Sequence, residues 1–317
     1  MSTRIISGKE AAQLLTMQDC IDAMKKVLVS LSAGKAEMLQ RNMMPQDDGN
    51  LFALMPGCDH EAGYCGVKAI IFPGPGVKTA QGIIPLFDAK TGALTAIVDA
   101  NHITDIRTGA TSAAATEMLA REDAHILAVL GTGKIGKAHL AAIPLVRKID
   151  EIRVWDQFPE AAKAAAEQFA QEGITIKVCE TAEECAVGAD IICTTSSSRT
   201  PFLNGDWVKA GAHVNMVGMG KEIEDNLLLK GHIYPDILSA VVRDSANEKE
   251  LIAAGKLDPA AFGPEIGKII NGEAQGRQCE DEITLFETVG LSVEDLAAAA
   301  VIAKKAEEQG IGVLVDL

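Results

Sequence analysis

Apolar positions change period twice along the chain, and the changes mark its organisation. Between Thr16 and Gly34, the residues Cys20, Met24, Val27 and Leu31 recur at helical spacing, with Thr16 and Asp19 placed as a capping pair and Gly34 as the stop. This segment reads as an amphipathic helix. From residue 51 to 100 shorter apolar runs take over (Leu51 to Met55, Gly66 to Phe72, Gly82 to Phe87, Ala93 to Val98), and Asp88-Ala-Lys-Thr-Gly92 reads as a hairpin turn. They predict a mostly antiparallel sheet with a helix on it. The small-residue run within Thr104 to Leu119 predicts a helix that lets other backbone approach closely, with a linker at residues 120–124.

From His125 onward, strand and helix alternate. Strands are expected at Ile126 to Leu130, Glu151 to Trp155, Ile174 to Val178, Ile191 to Thr194, His213 to Val217 and Ile237 to Val242. Helices are expected up to about Leu145, from Pro159, and from a start at Thr181 and Glu184. Such alternation implies a parallel sheet covered on both faces. After Leu291, Ser292 and Asp295 are placed to cap a final alanine-rich helix ending near Gly310, which can pack back on the first half. The predicted fold class is α/β: a Rossmann-type doubly wound parallel sheet over residues 121–290, plus a discontinuous α+β domain over 1–120 and 291–317.

Composition narrows the function classes. The 317 residues are 48% hydrophobic, enough to fill two cores without disulfides or metals, and the net charge of −15 argues against nucleic acid or an anionic membrane as partner. No apolar run approaches the roughly 20 residues of a membrane helix. Seven cysteines without a C-x-x-C pair, and an N-terminus without a signal peptide's apolar core, fit a reducing cytoplasm. The six histidines never fall at i, i+4, so no metal site is expected.

Gly131-Thr-Gly133-Lys-Ile-Gly136 follows an apolar strand and opens a helical stretch, the context in which G-x-G-x-x-G signals a dinucleotide. Gly131 permits the tight turn, Gly133 the approach of backbone N–H groups to a pyrophosphate, and Gly136 close packing of helix on strand. A glycine turn without ligand is the alternative. Asp156, twenty residues past Gly136 at the end of the next strand, can accept from both adenosine ribose hydroxyls and would repel a 2′-phosphate, which favours NAD(H). It can equally be a turn or cap residue before Pro159, and Lys148 and Arg153 leave NADP(H) open. The hydroxyl-rich Thr194-Thr-Ser-Ser-Ser198 lies where the crevice beyond the strand ends should be.

Basic residues are scarce, yet Arg41, Lys68 and Arg107 stand in or beside apolar or small-residue segments. A cation in a buried strand costs on the order of several kcal/mol unless an anion meets it, so Lys68 suggests a substrate carboxylate. An ion pair with a protein carboxylate such as Asp99 or Asp105 is the alternative.

Three stretches give the chain a resemblance to the ornithine cyclodeaminase and mu-crystallin family over nearly its whole length. They are Ile103-Thr-Asp-Ile-Arg-Thr-Gly-Ala-Thr-Ser112, the glycine motif with Gly211-Ala-His-Val-Asn-Met-Val-Gly218, and Asp281-Glu-Ile-Thr-Leu-Phe-Glu-Thr-Val-Gly-Leu-Ser-Val-Glu-Asp295. That family includes cyclodeaminases, archaeal-type alanine dehydrogenases, and ketimine or iminosuccinate reductases. The resemblance implies that Arg41, Lys68 and Arg107 hold a substrate carboxylate, with Val289 facing the substrate. It also implies that Thr79, Arg107 and Thr108 reach the cofactor NAD from the first domain, and that Lys134, Ile135, Asp156, Thr195, Val217, Gly218, Lys221 and Thr288 contact it from the second. A homodimer is implied too, joined through the first-domain sheets.

Two departures qualify the resemblance. Cyclodeaminases carry an aspartate two residues after the glycine equivalent to Gly218, for the substrate amine or the attacking water; here the position holds Gly220, which weakens that reading. Ile135-Gly136 stands where the family often has Gln-Ala. The expected activity is reversible hydride transfer between NAD(H) and the Cα of a small 2-amino or 2-imino acid, with Lys68 as candidate for delivering a proton to the nitrogen or orienting it. An ammonia-releasing cyclodeaminase that retains its NAD, and a mu-crystallin-like binding protein for a largely apolar ligand, are the alternatives.

Overall fold

The computed structural model describes residues 2–47, 49–72, 74, 80–218 and 220–316. The chain begins with β1 (Ser2–Ile6), α1 (Gly8–Leu14), α2 (Met17–Ser32), β2 (Ala36–Met38), β3 (Asn42–Pro45), β4 (Leu51–Asp59), β5 (Tyr64–Phe72), β6 (Gln81–Asp88), β7 (Leu94–Asp99) and α3 (Asn101–Leu119). It continues through β8 (Ile126–Leu130), α4 (Lys134–Ala142), β9 (Glu151–Trp155), α5 (Pro159–Ala170), β10 (Lys177–Val178), α6 (Ala182–Ala186), β11 (Ile191–Thr194) and β12 (His213–Val217). Then come α7 (Asp225–Lys230), β13 (His232–Pro235), α8 (Leu238–Asp244), α9 (Lys249–Ala253), α10 (Ile266–Ile270), β14 (Thr284–Thr288), α11 (Ser292–Gln309) and β15 (Val313–Asp316). Two compact units result, Met1–Arg107 with Leu291–Leu317, and Thr108–Gly290.

In the first unit the strands follow the order β15-β1-β7-β6-β5-β4-β2, with β3 also on β4. All pairs are antiparallel except β1 with β7. Period-2 alternation gives the sheet two unlike faces. Ile6, Val98, Ile84, Lys68, Ile70 and Met55 share the buried face, against which α2 and α11 pack. Ile5, Ile71, Ile83 and Val313 lie on the other and are 40–64% exposed. The expected cap of α2 is present: Thr16 and Asp19 exchange hydrogen bonds as a capping box. At α11 the expected cap differs. Leu291 is the capping residue, its N–H donating to Glu294 at 3.3 Å, while Ser292 Oγ donates to the Pro56 carbonyl at 2.7 Å and Asp295 serves elsewhere.

The second unit is an all-parallel sheet of order β10-β9-β8-β11-β12-β14-β13. Its central strands β11, β12 and β14 are buried along their whole length. Such strands are covered on both faces, and the polar residues that β12 and β14 bury find partners, as His213 does at Thr284, Asn215 at Thr116 and Glu287 at Ser245. The expected strand at 174–178 contracts to β10. Ile237 to Val242, expected as a strand, is instead α8, since a short apolar run does not distinguish buried helix from buried strand. The strand is β13, whose Pro235 is tolerated because β13 is the sheet edge.

The unit boundary falls inside α3, at 107/108, rather than at residue 120. From Thr108 onward this helix belongs with the parallel sheet: Ser112 Oγ bonds His139 Nε2 at 2.8 Å and Thr116 Oγ1 accepts from Asn215 at 3.0 Å. Gly109 allows the contact with α4, since a Cβ there would stand 2.7 Å from the Ala138 carbonyl oxygen.

Candidate active site

Within the first unit, Lys68 of β5 points to the helix-covered face and meets the first turn of α11. Its Nζ lies 2.9 Å from Asp295 Oδ1, and the same oxygen accepts from Arg107 Nε at 3.0 Å. Arg107 Nη1 reaches Glu294 at 2.7 Å. All four side chains are buried, with Lys68 and Asp295 no more than 1% exposed. The alternative reading, an ion pair with a protein carboxylate, is thus present, with Asp295 as the partner in place of Asp99 or Asp105; at 227 positions from Lys68 it was hidden from any local reading of the sequence. The α11 N-terminus suits carboxylates, because its aligned peptide dipoles present partial positive charge there.

Burial lowers the Lys68 ammonium below the ordinary lysine range, helped by Arg107 and Arg41 and opposed by Asp295. Arg41 is half-buried and bears on Lys68 electrostatically, while Lys68 and Arg107 meet at Asp295. Burial works against the charge on Arg107, but Asp295 and Glu294 outweigh it and hold the guanidinium pKa above its usual value. Burial likewise works against the Asp295 carboxylate, which Arg107 and Lys68 nonetheless keep below the usual aspartate range. Asp295 Oδ2 is buried and has no hydrogen-bond partner among the described residues. Thr79 lies outside the described residues.

In the second unit the glycine motif has the geometry a dinucleotide needs. Gly131 adopts φ +103°, which favours glycine. A Cβ on Gly136 would stand 1.9 Å from the Gly131 carbonyl oxygen, so strand and helix close up only with glycine there. Gly133 begins α4 with no side-chain cap and nothing within 4 Å of where its Cβ would be. This leaves an open, N–H-lined cradle at a helix N-terminus, the chemistry that receives a pyrophosphate. Asp156 Oδ2 accepts from Thr132 N and Oγ1 at 2.7 and 2.8 Å and Oδ1 from Phe158 N at 3.0 Å, so the carboxylate is fixed against the glycine loop. Thr195 Oγ1 donates to the Gly131 carbonyl at 2.7 Å. Lys134 and Ile135 open α4 directly after the glycine turn, Val217 and Thr288 end β12 and β14, and Gly218, Lys221 and Val289 follow those strand ends. Thr288 Oγ1 and Val289 N both donate to Asp236 Oδ2, at 2.9 and 3.0 Å.

Three acids escaped the sequence reading. Glu294 and Asp295 carry the ion network, although their positions signalled only capping. Glu222 is buried beside Ser196, whose N and Oγ donate to its Oε1 at 2.7 and 2.5 Å. At Gly220 a Cβ would come within 3.0 Å of the Ser198 carbonyl oxygen and 3.3 Å of Glu222 Cγ, so this loop has little room for a larger side chain. No metal-binding cluster of His, Cys, Asp or Glu is present among the described residues, and no helix among them is long and apolar enough to cross a membrane.

The model of the Ornithine cyclodeaminase/mu-crystallin family matches residues 1–310. The chain belongs to this family. It is 30% identical to an alanine dehydrogenase of Archaeoglobus fulgidus over 98% of each chain. Among solved structures, the Thermococcus litoralis Delta(1)-pyrroline-2-carboxylate reductase in complex with NADH and L-proline is 30% identical, with a TM-score of 0.94 over 99% of this chain and 100% of that one. The iminosuccinate reductase of Paracoccus denitrificans in complex with NAD+ is 25% identical, with a TM-score of 0.94 over the whole of both chains.

For this member of the ornithine cyclodeaminase/mu-crystallin family, both sites make measurable demands. Gly136→Ala forces the glycine loop open, and NADH affinity measured by fluorescence titration should fall by roughly tenfold or more. Unchanged affinity would mean that the loop does not hold the dinucleotide. Asp295→Asn strands two buried cations, and urea unfolding at pH 7 should show a loss of about 3–5 kcal/mol. Because the Asp295 pKa is depressed on folding, its stabilisation is complete above the ordinary aspartate pKa and fades as pH falls toward the folded value, so wild type and variant should converge in acid.

Proposed function

We propose that the chain is an NAD(H)-dependent oxidoreductase transferring hydride between the nicotinamide and the Cα of a small 2-amino or 2-imino acid. The meeting of buried Lys68 and Arg107 at one carboxylate oxygen, with half-buried Arg41 in electrostatic reach of Lys68, is the observation that carries this reading. Three cations so placed favour a small carboxylate, and clamping that group fixes Cα for reaction. When bound, NADH supplies the hydride. Lys68 delivers a proton to the nitrogen or orients it, a role suited to an amine whose pKa burial has lowered. Arg107 and Arg41 hold the carboxylate, and Val289 borders the substrate.

The glycine cradle, Asp156, Lys134, Ile135, Thr195, Val217, Gly218, Lys221 and Thr288 hold the cofactor, and Thr79, Arg107 and Thr108 join them as the resemblance implies. Asp156 favours NAD over its 2′-phosphorylated relative, because a carboxylate repels the extra phosphate. The relatives crystallised with NADH or NAD+ support the choice. A homodimer is proposed through the exposed apolar face carrying Ile5, Ile71 and Ile83, which water alone would cover at a cost. A reducing cytoplasm suits a chain whose seven cysteines are all free.

The cyclodeaminase alternative loses ground at Gly220, where the crowding by Ser198 and Glu222 disfavours the aspartate that chemistry uses. Pure binding of an apolar ligand would make no use of the cations that Asp295 and Glu294 hold together. Assays of NADH absorbance with pyruvate plus ammonia or methylamine, cyclic 2-imino acids, and oxaloacetate plus ammonia should show oxidation with at least one. Ammonia released from ornithine without net NADH formation would instead establish the cyclodeaminase. Lys68→Met should abolish turnover and keep NADH binding; full activity would refute the assigned role.

A further inference from the structure

Glu222 has no part in the chemistry above, yet it is the hub of a buried hydrogen-bond chain in the second unit. Its Oε1 takes both donors of Ser196, N at 2.7 Å and Oγ at 2.5 Å. Ser196 abuts the dinucleotide turn: a Cβ on Gly131 would lie 2.9 Å from its nitrogen. On the other side, Glu222 N and Ile223 N donate to Asn247 Oδ1 at 3.1 and 3.3 Å. Asn247 Nδ2 in turn reaches Glu287 of β14 at 3.4 Å, and Ser245 Oγ donates to the same carboxyl at 2.9 Å. Glu222 also fastens the chain beyond the serines, its carbonyl accepting from Phe202 N and Leu203 N at 2.9 and 3.0 Å.

We infer that Glu222 is a positioning residue for the cofactor: its carboxylate clamps the Ser196 loop against the glycine turn and so firms the dinucleotide site. The inference rests on the proposed use of NAD(H). The ionised form holds both Ser196 donors more strongly, because hydrogen bonds to a carboxylate are about twice as strong as those to a neutral carboxyl, so protonation on Oε2 loosens the grip of Oε1 without removing it. Burial pushes Glu222 up to about 7, against the lowering by the Ser196 donors and, less, by Thr194. The clamp therefore tightens as pH rises through the neutral range.

Charged groups on the surrounding elements do not replace this control. Lys221 pairs with Glu250 at 2.5 Å, and Glu224 accepts from Asn204 at 2.7 Å. Glu287 lies beyond Asn247 from Glu222, and burial, then the neighbouring Glu248, raise its pKa well above the usual glutamate value. His139 and His213, the buried imidazoles of this unit, are lowered by burial to about 4 and about 3 and stay neutral from pH 6 to 8.

The test is NADH binding without turnover. Affinity should rise roughly fivefold from pH 6 to pH 8, and calorimetry at pH 7 in two buffers of unlike ionisation enthalpy should show protons released on binding. In Glu222→Gln, which keeps shape and an acceptor oxygen, both the pH dependence and the proton release should vanish. Asn247→Ala, which frees the Glu222 backbone, should weaken NADH binding at pH 8 several-fold. Binding that releases no proton in the wild type, or the same number in Glu222→Gln, overturns the inference while leaving the enzymatic reading intact. A wild-type protein that fails to bind NADH at any pH overturns both.

Discussion

Two buried cations and two buried carboxylates organise the sheet-rich unit. Lys68 and Arg107 converge on one oxygen of Asp295, and Arg107 goes on to Glu294, with essentially no water available to any of them. Desolvating four charges is costly, and the attraction between them does not by itself explain why a fold keeps such a network in place of apolar residues. A reason exists if the network holds cations ready for an anion that is only sometimes present. The N-terminal turn of α11 is well suited to hold them, since its dipole favours negative charge there and the Leu291 N–H donates to Glu294. The discontinuous domain follows from this: the chain must leave its first sheet, build the parallel unit, and return to bring that turn to β5.

The parallel unit applies the same principle to the cofactor. Its glycine loop is shaped less by what glycine allows in isolation than by what crowds it, the Gly131 carbonyl above Gly136 and the Thr195-Ser196 segment above Gly131. Hydroxyl and carboxyl groups then fix the surroundings, with Thr132 on Asp156, Thr195 on Gly131, Thr288 on Asp236, and Ser196 on Glu222. These are buried or half-buried bonds with short reach, and they pre-set the strand ends before any ligand arrives.

Much of this was legible in the chain itself. The dinucleotide motif was readable because its signals are local: strand, glycines, helix and acid follow one another within 31 residues, from Ile126 to Asp156. The cations were readable because Lys68 interrupts an apolar strand and so advertises an unusual partner. The partner's identity was not, because Asp295 sits in a helical first turn where an acid needs no further explanation. Strand β13 and helix α8 were misassigned for a related reason: burial, not periodicity, decides a short apolar run, and burial is a property of the whole sheet. Glu222 gave no signal at all, since its meaning lies in contacts with Ser196 and Asn247, 26 and 25 positions away.

If the ion network exists to receive a carboxylate, then a bound amino acid must engage it. A crystal structure of the protein with NADH and L-alanine would decide the matter. The account predicts the ligand carboxylate within hydrogen-bond distance of Lys68 Nζ and the Arg107 guanidinium, with Asp295 still holding both. A carboxylate seated elsewhere, with Lys68 and Arg107 engaged by Asp295 and Glu294 alone, would contradict it.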